Sequence, residues 1–238
     1  MVRYQLWGRF WRAFLRFFMP RYKCIGFQPP DVPVIYVSRH FKRGTVGAMV
    51  QIDLYPRPWV LDVLIESRTC TRHMRNYTLT KRIGMPKWLA WPIGWILGQV
   101  IGKTLRSVGA IPVHRGKREI IHTFNQSVEV LDSGASVIIF PDVDVLDDSP
   151  YTGELYEGFV LLARRAWKKT KKNFPFVPIY TSSRSRTILA GEPIYMDMER
   201  PVEEEQQRIV ALLQEELNHM ALACGDLLPG REKTECPE

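Results

Sequence analysis

The feature that most constrains the fold is an alternation of short β-prone segments with helical patterns along most of the chain. The β-prone segments are apolar and end at a proline, a glycine or a polar residue; they are residues 34–37, 60–65, 109–115, 136–140 and 176–180. A parallel strand pair needs a long crossover, which is usually a helix. The sequence therefore predicts an α/β fold, a single domain with a mostly parallel central sheet flanked by helices.

The helical patterns between these segments have recognisable ends. Residues 119–133 place apolar side chains on one face, and Gly134 follows as a stop. Residues 158–172 form a second pattern that ends in a lysine cluster. Pro201 opens a third, whose first turns carry glutamates that suit the positive end of the helix dipole.

The N-terminal segment, residues 1–20, carries the clearest helical pattern. Aromatic residues recur at helical spacing along one face, arginines fall on the opposite side, and Pro20 ends the helix; the two sets are Tyr4, Trp7, Trp11, Phe14 and Phe18, and Arg9, Arg12 and Arg16. This pattern predicts an amphipathic helix in a membrane interface, with guanidinium groups at lipid phosphates. The alternative is a terminal helix packed on the domain.

Length and composition predict how the chain after residue 20 is organised and which partners it can bind. Of the 238 residues, 21–230 are expected to form the α/β domain and 231–238 a polar tail. The net charge of +8 favours an anionic partner: nucleic acid, an acidic membrane surface or a phosphorylated substrate. The basic residues form no long run and no nucleic-acid motif is present, so we expect no nucleic-acid partner.

The four cysteines are widely spaced and contain no Cys-x-x-Cys pair; they are Cys24, Cys70, Cys224 and Cys236. This spacing predicts reduced thiols in a cytoplasmic setting, without a zinc site or a disulfide framework.

Residues 88–101 are the most apolar part of the chain and include Trp88, Trp91 and Trp95. The segment is too short to span a bilayer, which takes roughly 20 apolar residues. Two interpretations stay open: a membrane-facing or re-entrant element, or a buried helix under the active site.

His40 is the leading candidate for chemistry because it follows the buried segment 34–37. Strand ends hold side chains at the edge of a cleft, and an imidazole can accept a proton from an alcohol near neutral pH. The alternative is a surface-loop histidine that hydrogen-bonds a neighbour.

Four strand-end motifs follow one another along the chain. They are Ser38-Arg39-His40, Ile111-Pro-Val-His-Arg115, Ile139-Phe-Pro-Asp142 and Val177-Pro-Ile-Tyr180. Their order and spacing, over residues 33–195, resemble the glycerolipid acyltransferase family, which includes the lysophosphatidic acid acyltransferases. That family has Asn-His-x-x-x-x-Asp, an Ile-x-Val-x-Arg core, Phe-Pro-Glu-Gly-Thr-Arg-Ser and Val-Pro-Val at the corresponding places.

The resemblance implies a membrane-associated acyltransferase that moves a fatty acyl group from a thioester to a hydroxyl of a glycerolipid-type acceptor. His40 takes the place of the catalytic base, and Arg115 that of the arginine that binds the acceptor's phosphate. Asp142 stands where the family has Glu, and with Arg39 it is expected at the substrate. The co-substrate would be acyl-CoA or an acyl carrier protein, without a further cofactor, at the cytoplasmic face of a membrane.

Two departures from the family pattern stand out. Thr45 lies five residues after His40, where the family has the aspartate that orients the imidazole. A threonine hydroxyl can orient a ring but adds no negative charge, so Thr45 is a candidate catalytic residue and Asp53 or Asp62 a candidate replacement acid.

The third motif lacks its Gly, Thr and Arg and is followed by further acids, Asp144, Asp147 and Asp148. With Asp142 they make four carboxylates, which would repel a phosphate unless they are screened or pair with Arg115 or Arg39. The cluster has no EF-hand spacing, so a solvated loop is favoured over a metal site. Both departures motivate an alternative function, a catalytically inactive relative that binds lipid or membrane.

Overall fold

The structure is a computed structural model that describes residues 3–27, 32–40, 44–52, 54–114, 119–144, 149 and 151–227, with the backbone alone at 44–46 and 48. The chain divides into two compact units. The first unit is Met1–Phe18 with Tyr55–Val137, and the second is Met19–Leu54 with Ile138–Glu238. The division predicted from the sequence, into residues 1–20, 21–230 and 231–238, stays a prediction.

The described part of the chain forms seven α-helices and seven strands. The helices are α1 Leu6–Phe18, α2 Gly44–Gln51, α3 Ser67–His73, α4 Lys87–Ser107, α5 Ile120–Asp132, α6 Leu161–Thr170 and α7 Val202–Ala223. The strands are β1 Lys23–Ile25, β2 Ile35–Ser38, β3 Arg57–Leu61, β4 Ile111–Val113, β5 Val137–Ile139, β6 Phe176–Ser182 and β7 Thr187–Ala190. Two 3₁₀ turns, Asp62–Leu64 and Glu157–Val160, and a π-helix, Met74–Arg82, complete the described elements.

The described strands pair mostly in parallel. In the second unit their order is β1-β7-β6-β2-β5, with β1–β7 and β2–β6 parallel and β6–β7 antiparallel. In the first unit β3 pairs with β4 in parallel. The prediction of an α/β fold with a mostly parallel sheet and an N-terminal helix is therefore confirmed.

Most segments predicted from periodicity correspond to observed elements. The sequence predicts a strand or a buried turn at 60–65; strand β3 ends there at Leu61, and the 3₁₀ turn that follows has no buried residue. The helix predicted over 119–133 ends at Asp132, and Gly134 follows with φ of 88°, the left-handed conformation expected of a glycine stop.

The core of the second unit is built on β2 and its neighbours. All four residues of β2 are buried, and Tyr36 belongs to one apolar cluster with Ile138 of β5, Ile179 of β6 and Ile188 of β7. Helix α7 covers β6 through Leu217 and other apolar residues packed around Tyr180. Burial of apolar surface contributes roughly 25 cal/mol of stability per Å². This packing therefore stabilises the sheet and holds the ends of its strands in fixed positions.

In the first unit, α4 packs closely on α3 and the π-helix through Gly94, Gly98 and Gly102. A side chain at Gly98 would lie 2.5 Å from Thr71 Cα, so only glycine permits this approach.

The tryptophans of α4 lie outside this packed contact, since Trp88, Trp91 and Trp95 are exposed. The interpretation of residues 88–101 as a buried helix is thus wrong. Within the described ranges, no helix is both long enough and apolar enough to cross a membrane.

Helix α1 is anchored to the first unit along one side. The hydroxyl of Tyr4 donates to the carbonyl of Pro56 at 2.6 Å, and Trp7 Nε1 donates to Thr104 Oγ1 at 3.2 Å. Arg12 differs from the prediction: it is 8% exposed and lies over the Tyr55 ring, 4.4 Å from its centroid. This buried cation–π contact removes Arg12 from the lipid-facing set.

The remaining side of α1 leaves large apolar side chains exposed, namely Leu6, Phe10, Phe14, Phe17 and Phe18. Arg9 and Arg16 are exposed as well, whereas Trp7 and Trp11 are partly buried. The helix therefore packs on its unit with one face and presents aromatic rings with the other.

Candidate active site

The candidate site is an imidazole and a carboxylate at the ends of two neighbouring strands. His40 comes two residues after β2, and Asp142 three residues after β5. Asp142 Oδ2 lies 3.0 Å from His40 Nδ1 and accepts a hydrogen bond from the His40 backbone N–H at 2.9 Å. One carboxylate oxygen thus fixes both the ring and the backbone of the histidine.

Arg39 completes the group on the other carboxylate oxygen. Its Nε donates to Asp142 Oδ1 at 3.3 Å, and a terminal nitrogen donates to the Ser149 carbonyl at 3.1 Å. Arg39 and Asp142 are 4% and 8% exposed, while the His40 side chain keeps 31% of its surface exposed. The buried pair therefore supports a histidine that solvent and ligands can reach.

The electrostatics of Asp142 favour the carboxylate form. Burial on its own raises the pKa of this carboxyl group, but the hydrogen bonds from the His40 ring and backbone outweigh it. The positive charges of His40 and Arg39 act in the same direction, so the pKa of Asp142 lies below its ordinary value.

The backbone around Asp142 is held by the chain that returns after it. Asp142 forms an antiparallel bridge with Leu155, and the N–H of Tyr156 donates to the Pro141 carbonyl at 2.8 Å. The His40 ring also lies against Phe140, with 5.2 Å between ring centroids. These contacts explain how two residues far apart in sequence keep a fixed geometry.

The arrangement selects one tautomer of the neutral imidazole. A carboxylate beside Nδ1 stabilises the form that carries its proton on Nδ1, which leaves Nε2 as a proton acceptor. If Nε2 takes a proton, Asp142 stabilises the resulting imidazolium. The pair is therefore chemically suited to general base catalysis.

The sequence reasoning missed this partnership, although it identified both residues. The sequence predicts Asp142 at the substrate and offers Asp53 or Asp62 as the acid that orients His40. Asp62 instead lies 3.3 Å from Nδ1 of His114, and Asp53 lies outside the described residues. The available signal was the position of Asp142 directly after a buried strand. The sequence did suggest the pairing of Asp142 with Arg39.

Several other expected site residues lie outside the described part of the chain. They are Arg115, Asp147, Asp148 and the side chain of Thr45, whose backbone belongs to α2. Asp144 is exposed. Among the residues that are described, no three His, Cys, Asp or Glu side chains form a group that could hold a metal ion.

Comparison with known proteins establishes the fold. No model of a known protein family matches the sequence. No curated protein matches it either. The structure is similar to the crystal structure of the 1-acyl-sn-glycerophosphate (LPA) acyltransferase PlsC from Thermotoga maritima, with a TM-score of 0.54 and 12% sequence identity. The match covers 90% of this chain and 76% of the other. The chain therefore has the fold of an LPA acyltransferase, as the motif order predicted.

Proposed function

We propose that this chain is a membrane-associated acyltransferase that moves a fatty acyl group from an acyl thioester to a hydroxyl of a glycerolipid-type acceptor. The observation that carries the proposal is the 3.0 Å contact between His40 Nδ1 and Asp142 Oδ2. Its position at the ends of neighbouring strands is where ligands bind in many α/β sheets. Similarity to the fold of an LPA acyltransferase supports the same reaction class.

In the proposed reaction, His40 Nε2 accepts the proton of the acceptor hydroxyl as its oxygen attacks the thioester carbonyl carbon. A C–O bond forms and gives a tetrahedral intermediate, which collapses as the C–S bond breaks. The imidazolium then returns its proton to the departing thiolate. The products are an ester and a free thiol. Asp142 acts as a positioning residue, which holds the ring and stabilises the imidazolium.

The donor and the acceptor phosphate are assigned by the resemblance and by charge. The net charge of +8 suits the phosphates of acyl-CoA or the acidic surface of an acyl carrier protein. Arg115 is the proposed ligand of the acceptor phosphate. Transfer between a thioester and a hydroxyl changes no oxidation state, so the reaction requires no further cofactor.

The proposed location is the cytoplasmic face of a membrane, with the protein bound as a peripheral or monotopic protein. Support comes from the exposed aromatic face of α1, which includes Phe10, Phe14, Phe17 and Phe18. Arg9 and Arg16 lie on the same helix and are exposed, as expected for contact with lipid phosphates.

A catalytically inactive relative that binds lipid or membrane is the second candidate. Thr45 in place of the family's aspartate favours it, as does the absence of the Gly-Thr-Arg run after Asp142. The first candidate is preferred because Asp142 places a carboxylate against His40. A carboxylate at the imidazole is what the family obtains from the aspartate that this chain lacks at position 45.

A donor and acceptor panel separates the two candidates. Purified protein is incubated with acyl-CoA or acyl carrier protein thioesters, and with lysophospholipid or non-phosphate acceptors, while released thiol and ester product are measured. We expect release that depends on one acceptor class. Vesicle binding without any transfer across the panel would contradict the enzyme and favour the lipid-binding relative.

A further inference from the structure

A cavity of about 450 Å³ lies beside the contact between α3 and α4 in the first unit. Its walls carry arginines on one side and indole rings on the other; they include Arg68, Arg72, Arg75, Asn76, Trp91 and Trp95. We refer to it as the Arg–Trp cavity. It shares no residue with the site at His40.

Helical spacing explains why these side chains meet. Arg68, Arg72 and Arg75 fall at i, i+4 and i+7 and share one face of α3 and the start of the π-helix. Trp91 and Trp95 are four residues apart on α4. The glycines of α4 bring the two backbones together, since Gly94 contacts Arg75 and Gly98 contacts Thr71. The three arginines and the two tryptophans therefore lie on either side of the contact between α3 and α4, which we refer to as the α3–α4 seam.

The three arginines form a cationic cluster without a counter-charge in the described residues. There, no carboxylate oxygen lies within 4.0 Å of their guanidinium groups. Like charges on one helix face repel each other, so a bound anion would relieve a cost that the folded chain carries. Thr71 also lines the cavity; the residue is 8% exposed, and its hydroxyl oxygen is buried without a hydrogen-bond partner among the described residues.

Arg75 is already fixed for such a role. Its Nε donates to the Trp91 carbonyl at 2.9 Å, and its guanidinium stacks 3.9 Å from the centroid of the Trp91 ring. Stacking and one hydrogen bond orient the planar fork, and the terminal nitrogens have no hydrogen-bond partner among the described residues. Guanidinium groups bind phosphate oxygens through paired N–H donors, which makes a phosphate group the best-suited anion.

The tryptophans indicate where that phosphate comes from. Trp88, Trp91, Trp95 and Ile96 are 77%, 65%, 55% and 54% exposed, an apolar surface on the same helix that lines the cavity. Indole rings favour the headgroup level of a bilayer, where an apolar body and a polar N–H are both satisfied. A phosphate beside such rings is expected to be part of a lipid surface.

We propose that the Arg–Trp cavity binds the phosphate of an anionic membrane phospholipid, with Arg68, Arg72 and Arg75 as its ligands and Trp91 and Trp95 at the lipid surface. The site is separate from acyl transfer and requires no role for His40. It gives the first unit a preference for anionic bilayers beyond general attraction between a basic protein and a negative surface.

The test compares binding to phosphatidylglycerol-containing and pure phosphatidylcholine vesicles by flotation. The variant is Arg68→Gln with Arg72→Gln, and the matched control is Lys81→Gln with Arg82→Gln, which removes two exposed charges at the end of the same π-helix. General electrostatics predicts equal losses for the two proteins. The proposal predicts that the cavity variant loses about tenfold more affinity for anionic vesicles. Equal losses in both proteins would overturn it.

Two further measurements keep the result interpretable. Circular dichroism melting checks that both double variants are folded, which is expected because all four side chains are exposed. Inorganic phosphate is then titrated against the vesicle-bound protein at constant ionic strength. We expect the protein to stay bound; release by free phosphate with a saturable profile would assign the cavity to a soluble phosphate and contradict the lipid source.

Discussion

Asp142 Oδ2 lies within hydrogen-bond distance of two nitrogen atoms of His40, the backbone nitrogen at 2.9 Å and Nδ1 at 3.0 Å. The carboxylate that faces the histidine is thus 102 residues away from it in sequence. In the resembling family, the orienting aspartate lies five residues after the histidine, where this chain has Thr45. The proposed function assigns to Asp142 the task that this aspartate has in that family.

Replacement of Asp142 by asparagine tests this role. The amide keeps the shape but cannot stabilise an imidazolium, and it can favour the wrong tautomer. We expect kcat to fall by about 10⁴, the loss known for the same change in the serine-protease triad, while KM changes little. Asp144→Asn serves as the control, because Asp144 is exposed. Equal kcat in the Asp142→Asn and wild-type proteins would remove Asp142 from the mechanism.

The same pair predicts how stability depends on pH. The pKa of Asp142 is below its ordinary value of 3.8, because hydrogen bonds and charge from His40 and the charge of Arg39 outweigh the opposing effect of burial. The unfolded chain therefore binds this proton at a higher pH than the folded chain does. The stabilisation is complete above the ordinary value and is lost as the pH falls through the lower folded value.

Urea unfolding of the wild type and of Asp142→Asn at a series of pH values measures this effect. The difference in the free energy of unfolding between the two proteins should shrink as the pH is lowered from about 6 to about 3. A constant difference over this range would show that the carboxyl group of Asp142 does not titrate abnormally.

Part of this architecture was accessible from the sequence, and particular residues show why the rest was not. Segment 34–37 can be predicted because four β-prone residues follow one another in the sequence. In the structure all four are buried, in β2 or directly before it. Strand β1 was missed because its three residues are exposed and carry no alternation. Helix α3 and the π-helix are not predicted because both segments are mainly polar and basic and contain few apolar residues.

The candidate site shows the same division. His40 could be identified because it follows a strand and because a motif places it there. Its pairing with Asp142 depends on which strands are neighbours in the sheet, and β2 and β5 are far apart along the chain. A single sequence holds no direct record of that adjacency. The motif therefore points only to acids that follow His40 closely in the sequence, such as Asp53 and Asp62.

The α3–α4 seam predicts a contrast between two glycines. Gly98→Ala should lower the free energy of unfolding by about 1–3 kcal/mol, because the added methyl group would lie 2.5 Å from Thr71 Cα and must force the helices apart. Gly158→Ala is the matched control, since no atom lies within 4 Å of its added Cβ. Urea denaturation measures both, and equal effects would contradict the close packing.

The exposed face of α1 predicts membrane binding that depends on aromatic rings. Phe14→Ser with Phe17→Ser should weaken vesicle binding at least about tenfold, because burial of each ring contributes roughly 1.5–3 kcal/mol. Tyr156→Ser with Tyr195→Ser, which removes two exposed rings of the second unit, provides the control. Unchanged binding of the phenylalanine variant would exclude α1 as a membrane contact.

The most direct test of the central claim is the rate of acceptor-dependent thiol release by His40→Ala, compared with wild type and with His122→Ala. His122 is an exposed histidine on α5 and controls for loss of an imidazole elsewhere. We expect His40→Ala to lose release by at least about 10⁴-fold, the upper end of the range for general base catalysis, because Asp142 acts through the same ring, while His122→Ala keeps the wild-type rate. Full release by folded His40→Ala protein would contradict the account.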